Sequence, residues 1–271
     1  WKKLEIPGKR GRADMKEKLY TIEVMDAVKA GDECPCCYLE RKLEQDAISF
    51  TLGSSYMEDD IRAETSQKGF CRHHTKMMYD YGNSLGNAWI LKSRLEYLNQ
   101  ELKKQMAHYV PGKRSNFLER FKKSERTLSG EGTAMAETWL RSEETHCYVC
   151  ERMRKIYERM LDTFVYMLHS DPEFCRLLLE SKGFCIHHFG DVLKICEEKL
   201  KLQQKQEWIP KLAKLMERNL DRVQEDIEWL IEKYDYRNKD ADWRQSRDAV
   251  QRTMQKTVGG YPADPVFQCR K

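Results

Sequence analysis

Lys182-Gly-Phe-Cys-Ile-His-His188 decides how this chain is read, because Lys68-Gly-Phe-Cys-Arg-His-His74 repeats it 114 residues earlier with one change. A Cys-x-x-Cys pair stands upstream of each copy: Cys34-Pro-Cys-Cys37 before the first and Cys147-Tyr-Val-Cys150 before the second. The gap from the second cysteine of the pair to the cysteine of the heptad is 34 residues in one copy and 35 in the other. Self-similarity at a long period marks an internally repeated architecture. Two near-equal sets of three cysteines and one histidine mark a metal or redox site in each copy.

Working outward from the heptads, every apolar stripe has helical period. Leu19, Ile22, Met25 and Val28 run up to Gly31, a C-cap. Leu39, Leu43, Ala47 and Phe50 follow the first cysteine pair to about Leu52, and a short helix over Glu58–Ser66 leads to the first heptad. A long helix is expected from Phe70 or Cys71 to about Tyr109, with Gly82 and Gly86 inside it at a bend or close contact. The second copy repeats the order: a helix over Thr133–Trp139, one from Cys147 to His169, a short one from Asp171 to Ser181, then a long one. Pro210 is expected to end or kink that last helix near Trp208. A further helix spans roughly Asp240–Thr257. No stretch alternates as a strand. The expected fold is all-α: two pseudo-symmetric helical repeats packed through their long helices, each with a Cys3His metal site. The expected organisation is a first repeat over 14–110, a basic linker over 111–133, a second repeat over 134–258 and a tail over 259–271.

Cys71 and His74 lie three apart at a helix start, as do Cys34 and Cys37, so each pair shares a face. Two such pairs can converge on one point. The same holds for Cys147, Cys150, Cys185 and His188. Helix N-termini stabilise thiolates, and three thiolates with one imidazole are a recognised set for structural zinc. Zinc, two per chain, is therefore the expected cofactor, with two iron–sulfur clusters as the alternative. A thioredoxin-like use of Cys-x-x-Cys would need a βαβ context that is absent. His73 and His187 precede the ligand histidines, and one helical step turns about 100°. The i+3 histidine is the expected ligand, and the i+2 member is an alternative ligand, a supporting group or a surface group. Cys36 has no counterpart (Val149 stands there), Cys175 and Cys196 fall in apolar stripes, and Cys269 has no reading. Each heptad glycine is expected at positive φ or at a close approach, and each Phe is expected to staple its turn onto its own half.

The rest of the composition narrows the class. Charged residues make up 34%, mean hydropathy is −0.79, and no run of 18 apolar residues exists to span a membrane. The start, Trp1-Lys-Lys-Leu, lacks the apolar region of a secretory signal, and paired cysteines in a chain this long read as thiolate ligands of a reducing compartment. The expected location is cytoplasmic. A net charge of +4 supports no general polyanion binding, so nucleic acid is disfavoured as a partner. The basic stretch Lys113–Lys123, with Phe117, Leu118 and Phe121, reads as a linker helix docking on its own protein.

At Cys34-Pro-x-Cys37 and Lys68-Gly-Phe-Cys71-x-x-His74, and again in the second copy, the sequence resembles an uncharacterised bacterial family known as a domain of unknown function. The stretches Met57–Arg62 and Asp171–Phe174 are similar too, and the likeness spans about Lys16–Tyr236. It implies a helical fold and supplies no activity. Tyr148 departs from the family pattern where the first copy has Pro35.

Three functions follow in order. The first is a metal-binding helical protein whose structural zinc supports a surface for a protein partner, self-association included. The second is an iron–sulfur electron carrier or redox-enzyme component. The third is a zinc/thiol redox sensor using Cys36. No reaction is assigned.

Overall fold

The structure, a computed structural model, describes residues 18–107 and 131–260. The basic stretch at 113–123, the arm before residue 14 and Cys269 lie outside the described residues. Eleven α-helices make up the described chain: α1 Thr21–Lys29, α2 Pro35–Leu52, α3 Asp59–Lys68, α4 Arg72–Tyr81, α5 Ser84–Ala107, α6 Glu131–Thr145, α7 Tyr148–Ser170, α8 Pro172–Glu180, α9 Ile186–Lys199, α10 Leu202–Lys233 and α11 Ala249–Val258. Among the described residues there is no strand. The chain is all-α, as its periodicities require, and among the described residues no helix is long and apolar enough to cross a membrane.

Two long-helix expectations need correction. The helix expected from the first heptad to Tyr109 is two helices, α4 and α5. Gly82 ends α4 in the left-handed region at φ +81°, a conformation open to glycine at little cost. Gly86 does sit inside α5, where an added Cβ would fall 3.0 Å from the Tyr56 ring. In the second copy α10 runs through Pro210 without interruption. The break comes earlier, at Leu200, which turns extended. The Gln204 side chain then accepts a 3.0 Å bond from the Lys201 N–H and starts α10, one half of a capping box.

The chain folds into two compact units, and it passes between them within α2 and again within α7. The first unit takes its described residues from 18–44 and 153–260, the second from 45–107 and 131–152. Each unit thus draws on both copies of the repeat. In the first unit Val24, Val28, Leu39 and Leu43 share one buried cluster with Leu161, Phe164, Phe174, Phe184, Leu212 and Met216. Phe184 of the second heptad is fully buried edge-on to Phe164, 5.9 Å between centroids. The second unit buries Ile48, Leu52, Tyr56, Met78, Ile90 and Val149.

Asp171 and the acids of α3 show the local logic of the short helices. The Asp171 carboxylate accepts from the Glu173 and Phe174 N–H groups at 3.0 Å. Asp59 and Asp60 occupy the first turn of α3, where they meet the positive end of the helix.

Candidate metal centres

All four cysteine-bearing motifs open a helix, and in the same register. The carbonyls of Cys34, Cys71, Cys147 and Cys185 each accept the first helical bond, from Tyr38, Thr75, Glu151 and Phe189 respectively. The first residue of every pair therefore sits at the cap and the second three residues on, in the first turn. At this spacing both side chains leave the same face of the helix start, where free N–H groups and the dipole favour anionic sulfur. The Cys37 and His188 N–H groups donate to the Cys34 and Cys185 Sγ atoms, both at 3.4 Å.

The eight predicted residues gather into two sets of four, but the sets cross the copies. Cys34 and Cys37 meet Cys185 and His188; Cys71 and His74 meet Cys147 and Cys150. In each set the four ligand atoms lie within 4.8 Å of one another. The expectation that each copy closes its own site on its own ligands is corrected by this pairing. Helix length supplies the physical reason. At about 1.5 Å per residue, α2 carries the chain about 27 Å from the first cysteine pair, and α3 can return about 15 Å at most. In the second copy α7 travels about 35 Å and α8 returns about 14 Å. In each copy the returning helix is shorter than the outgoing one, so that helix alone does not bring the heptad back to the cysteine pair of its own copy.

The first centre lies in the first unit and is sealed. Cys34, Cys37, Cys185 and His188 are all buried. His188 Nδ1 is 3.5, 3.4 and 3.2 Å from the sulfurs of Cys34, Cys37 and Cys185, and the Cys37 and Cys185 sulfurs are 3.8 Å apart. Glu40, one turn beyond Cys37, brings a carboxylate oxygen to 3.0 Å from His188 Nε2. Such a carboxylate behind a metal-facing imidazole fixes its tautomer. Gly259 and Gly260, after α11, close the remaining side. The Gly260 N–H donates to Cys37 Sγ at 3.4 Å, and an added Cβ on Gly259 would stand 3.5 Å from Cys185 Sγ. Lys256 ties the ligand turns together. Its buried ammonium donates to the carbonyls of Glu33 (2.6 Å), Phe184 (3.4 Å) and Lys182, and lies 3.3 Å from the buried Glu33 carboxylate. Glu33 is also paired with Arg222 at 2.5 Å. Burial holds the Lys256 ammonium below its ordinary pKa.

The second centre lies in the second unit and is open on one side. His74 and Cys147 are buried, Cys71 is half-buried and Cys150 is exposed. His74 Nδ1 is 3.2 Å from the sulfurs of Cys71 and Cys147 and 3.3 Å from Cys150, and the Cys71 and Cys150 sulfurs are 4.0 Å apart. The two ligand turns are bonded directly, Tyr148 N–H to Gly69 C=O at 2.9 Å. Gly69 sits at φ +63°, and the Arg94 guanidinium lies where its Cβ would be, 2.7 Å away. From there Arg94 donates to the Ser66 carbonyl at 2.7 Å and pairs with Glu143 at 2.6 Å. Gly183 matches it at φ +72°. Phe70 packs edge-on against Tyr148, 6.3 Å between centroids. It therefore staples its turn to the other copy's cysteine turn rather than to its own half.

The titration of these groups follows from their crowding. Burial holds the Cys34 thiol well above its ordinary range, and hydrogen bonding with the Cys185 sulfur does the same to Cys37. Cys185 is driven the other way by bonds from both thiols and from His188. Burial opposes charge on His188, yet the Cys185 and Cys37 sulfurs and the Glu40 carboxylate together outweigh it and lift the imidazole to about 12. In the second centre burial raises Cys147, but the His74 imidazole and two backbone N–H groups bring it down to about 6. Burial and the neighbouring Cys147 thiolate push Cys150 up. Several thiols this close cannot all ionise unless a cation joins them.

The remaining predicted residues fall outside both sets. His73 and His187 are exposed, and their rings lie 5.1 and 5.0 Å from those of His74 and His188. Cys36, Cys175 and Cys196 belong to no cluster of ligands, and Cys36 and Cys196 are buried. Sequence reasoning missed Glu40, Lys256 and the Gly259-Gly260 cover. Glu40 carried a signal, lying three residues past Cys37 on the ligand face; Lys256, more than two hundred residues from Glu33, carried none.

Against known proteins, a 207-residue stretch is 22% identical to a protein of Caldicellulosiruptor sp. (strain Rt8B.4) described as an uncharacterized 23.9 kDa protein in the xynA 3' region, over 76% of this chain and 85% of that one. No solved structure matches. Residues 15–264 match the family of unknown function DUF6062, and the chain belongs to that family.

Proposed function

We propose that this is a structural zinc protein in which each Cys3His centre holds one zinc ion and pins two helix starts together. One observation carries the reading: the spacing of the ligand atoms. With zinc–sulfur bonds of about 2.3 Å and a zinc–nitrogen bond of about 2.0 Å at tetrahedral angles, sulfur–nitrogen separations come to about 3.5 Å and sulfur–sulfur to about 3.8 Å. The separations here are 3.2–3.5 Å and 3.8–4.0 Å. An iron–sulfur cluster puts several atoms between its ligands, for which thiolates and imidazole all within 4.8 Å leave no room. Four protein ligands fill the tetrahedron of each ion, so no open position remains for a catalytic water.

Ligand Nδ1 atoms, cap-position thiolates and the Glu40 carboxylate support the same assignment. On this reading the metal builds the scaffold and the working surface lies elsewhere. The face of α5 that exposes Leu91, Leu95, Leu102 and Met106 is apolar area of the kind a protein partner covers. Elemental analysis with a visible absorption spectrum, on protein purified without oxygen, tests the assignment. About two zinc per chain and no visible band are expected; iron with sulfide, or no metal, would overturn it.

A further inference from the structure

We infer that the second centre is an oxidation site, in which a hydroperoxide converts Cys150 and Cys71 to a disulfide and expels the metal while the first centre keeps its own. The inference rests on zinc occupying both centres. It is carried by the difference between two centres with the same ligands. In the first, all four ligands are buried, the Gly260 N–H lies on Cys37 Sγ, and α11 closes over the turns. In the second, Cys150 is exposed and Cys71 is half-buried beside it. Oxidation of a thiolate needs an oxidant at the sulfur. A metal-held thiolate at the surface meets that condition, and a sealed one does not.

The chemistry closes within the centre. The Cys150 sulfur attacks the outer oxygen of the hydroperoxide, the O–O bond breaks, the alcohol (or water) leaves with a proton from solvent, and Cys150 becomes a sulfenic acid. The Cys71 thiolate, 4.0 Å away, attacks that sulfur. Hydroxide departs, takes a proton and becomes water. Two thiolates have lost two electrons to the peroxide, and one S–S bond has formed. A disulfide needs its sulfurs at about 2.05 Å, a closure of about 2 Å that side-chain rotation at one cap position and in one first turn can supply. The ion is then left with only Cys147 and His74 and is released. The bond from Tyr148 N–H to Gly69 C=O holds the two turns side by side without the metal, which favours the disulfide and its later reduction by a thiol. Cys36, the thiol that the sequence singles out for sensing, is buried and plays no part.

The test treats the zinc-loaded full chain with hydrogen peroxide, follows release with a zinc-binding dye, and maps cysteine oxidation by differential alkylation and mass spectrometry. One of two zinc ions is expected to leave about tenfold faster than the other or more, with a Cys71–Cys150 disulfide, and Cys36→Ala leaves that rate unchanged. Release of both ions at one rate, release of neither, or a disulfide among Cys34, Cys37 and Cys185 would overturn this inference alone. Slower release from Cys36→Ala would do the same. Protein that carries no zinc before the oxidant is added overturns the zinc reading as well.

Discussion

Replacing Lys256 by Met tests the clasp over the sealed centre. Methionine keeps the apolar stem and removes the ammonium, which is 1% exposed and bonded to three carbonyls of the two ligand turns and to the Glu33 carboxylate. Breaking a buried ion pair by deleting one partner costs about 3–5 kcal/mol. Two effects pull the figure down. Glu33 keeps Arg222 at 2.5 Å and Lys182 at 3.7 Å, and the desolvation that depresses the Lys256 pKa is relieved. One effect pulls it up, since three carbonyls lose a donor and buried unpaired acceptors cost about 1–3 kcal/mol each. The balance is a loss of about 3 kcal/mol. In a domain of this size a kilocalorie moves the midpoint by about 2–4 °C, so a fall of about 6–12 °C is expected. Thermal unfolding of the zinc-loaded protein by circular dichroism measures it, with a chelator competition reporting faster loss of the first ion. A midpoint within about 2 °C of the parent, with zinc retained equally, would refute the view that Lys256 holds the two turns together.

The crossed pairing predicts which substitutions share an effect. Cys34→Ser and Cys185→Ser should each cost the same zinc ion and the double variant no more, whereas Cys34→Ser with Cys71→Ser should cost both; metal analysis of the four proteins decides. Loading the first centre should release protons from Cys34, Cys37 and His188, which are protonated at neutral pH without the ion. Calorimetry in buffers of different ionisation enthalpy should count about three protons for that ion, and its affinity should fall as pH is lowered. Cys196 is buried in α9, and burial raises its thiol from 9.0 to about 11. The stability this group contributes is full below the unfolded value of 9.0 and is lost as pH rises toward 11. Native protein at pH 9 should resist alkylation at Cys196, with protection lost on unfolding.

The paired Cys and Cys–His positions at the helix starts were legible in the sequence because their spacing is local. Cys71 and His74 share a face by helical geometry alone, and the repetition of the motif marks them as more than core. Partnership was not legible, since spacings of 34 and 35 residues fit pairing within a copy as well as across copies. The outgoing helix is longer than the returning one in each copy, and that imbalance, which goes with the crossed pairing, shows only once the helix bounds are known. Gly82 was read as an internal helix residue because the stripe continues past it from Met78 to Leu85, although a glycine at φ +81° is itself a stop. Pro210 invited the opposite error: a strong breaker inside α10 that tertiary packing overrides, with Trp208 and Leu212 buried on either side.

Crossed pairing also sets what a cut chain could do. A polypeptide divided between residues 107 and 131 yields one fragment with Cys34, Cys37, Cys71 and His74 and another with the other four ligands. Each fragment holds half of both centres and the whole of neither. The metals would then be the rivets between two polypeptides, and either fragment by itself could reach a filled centre only by recruiting a companion.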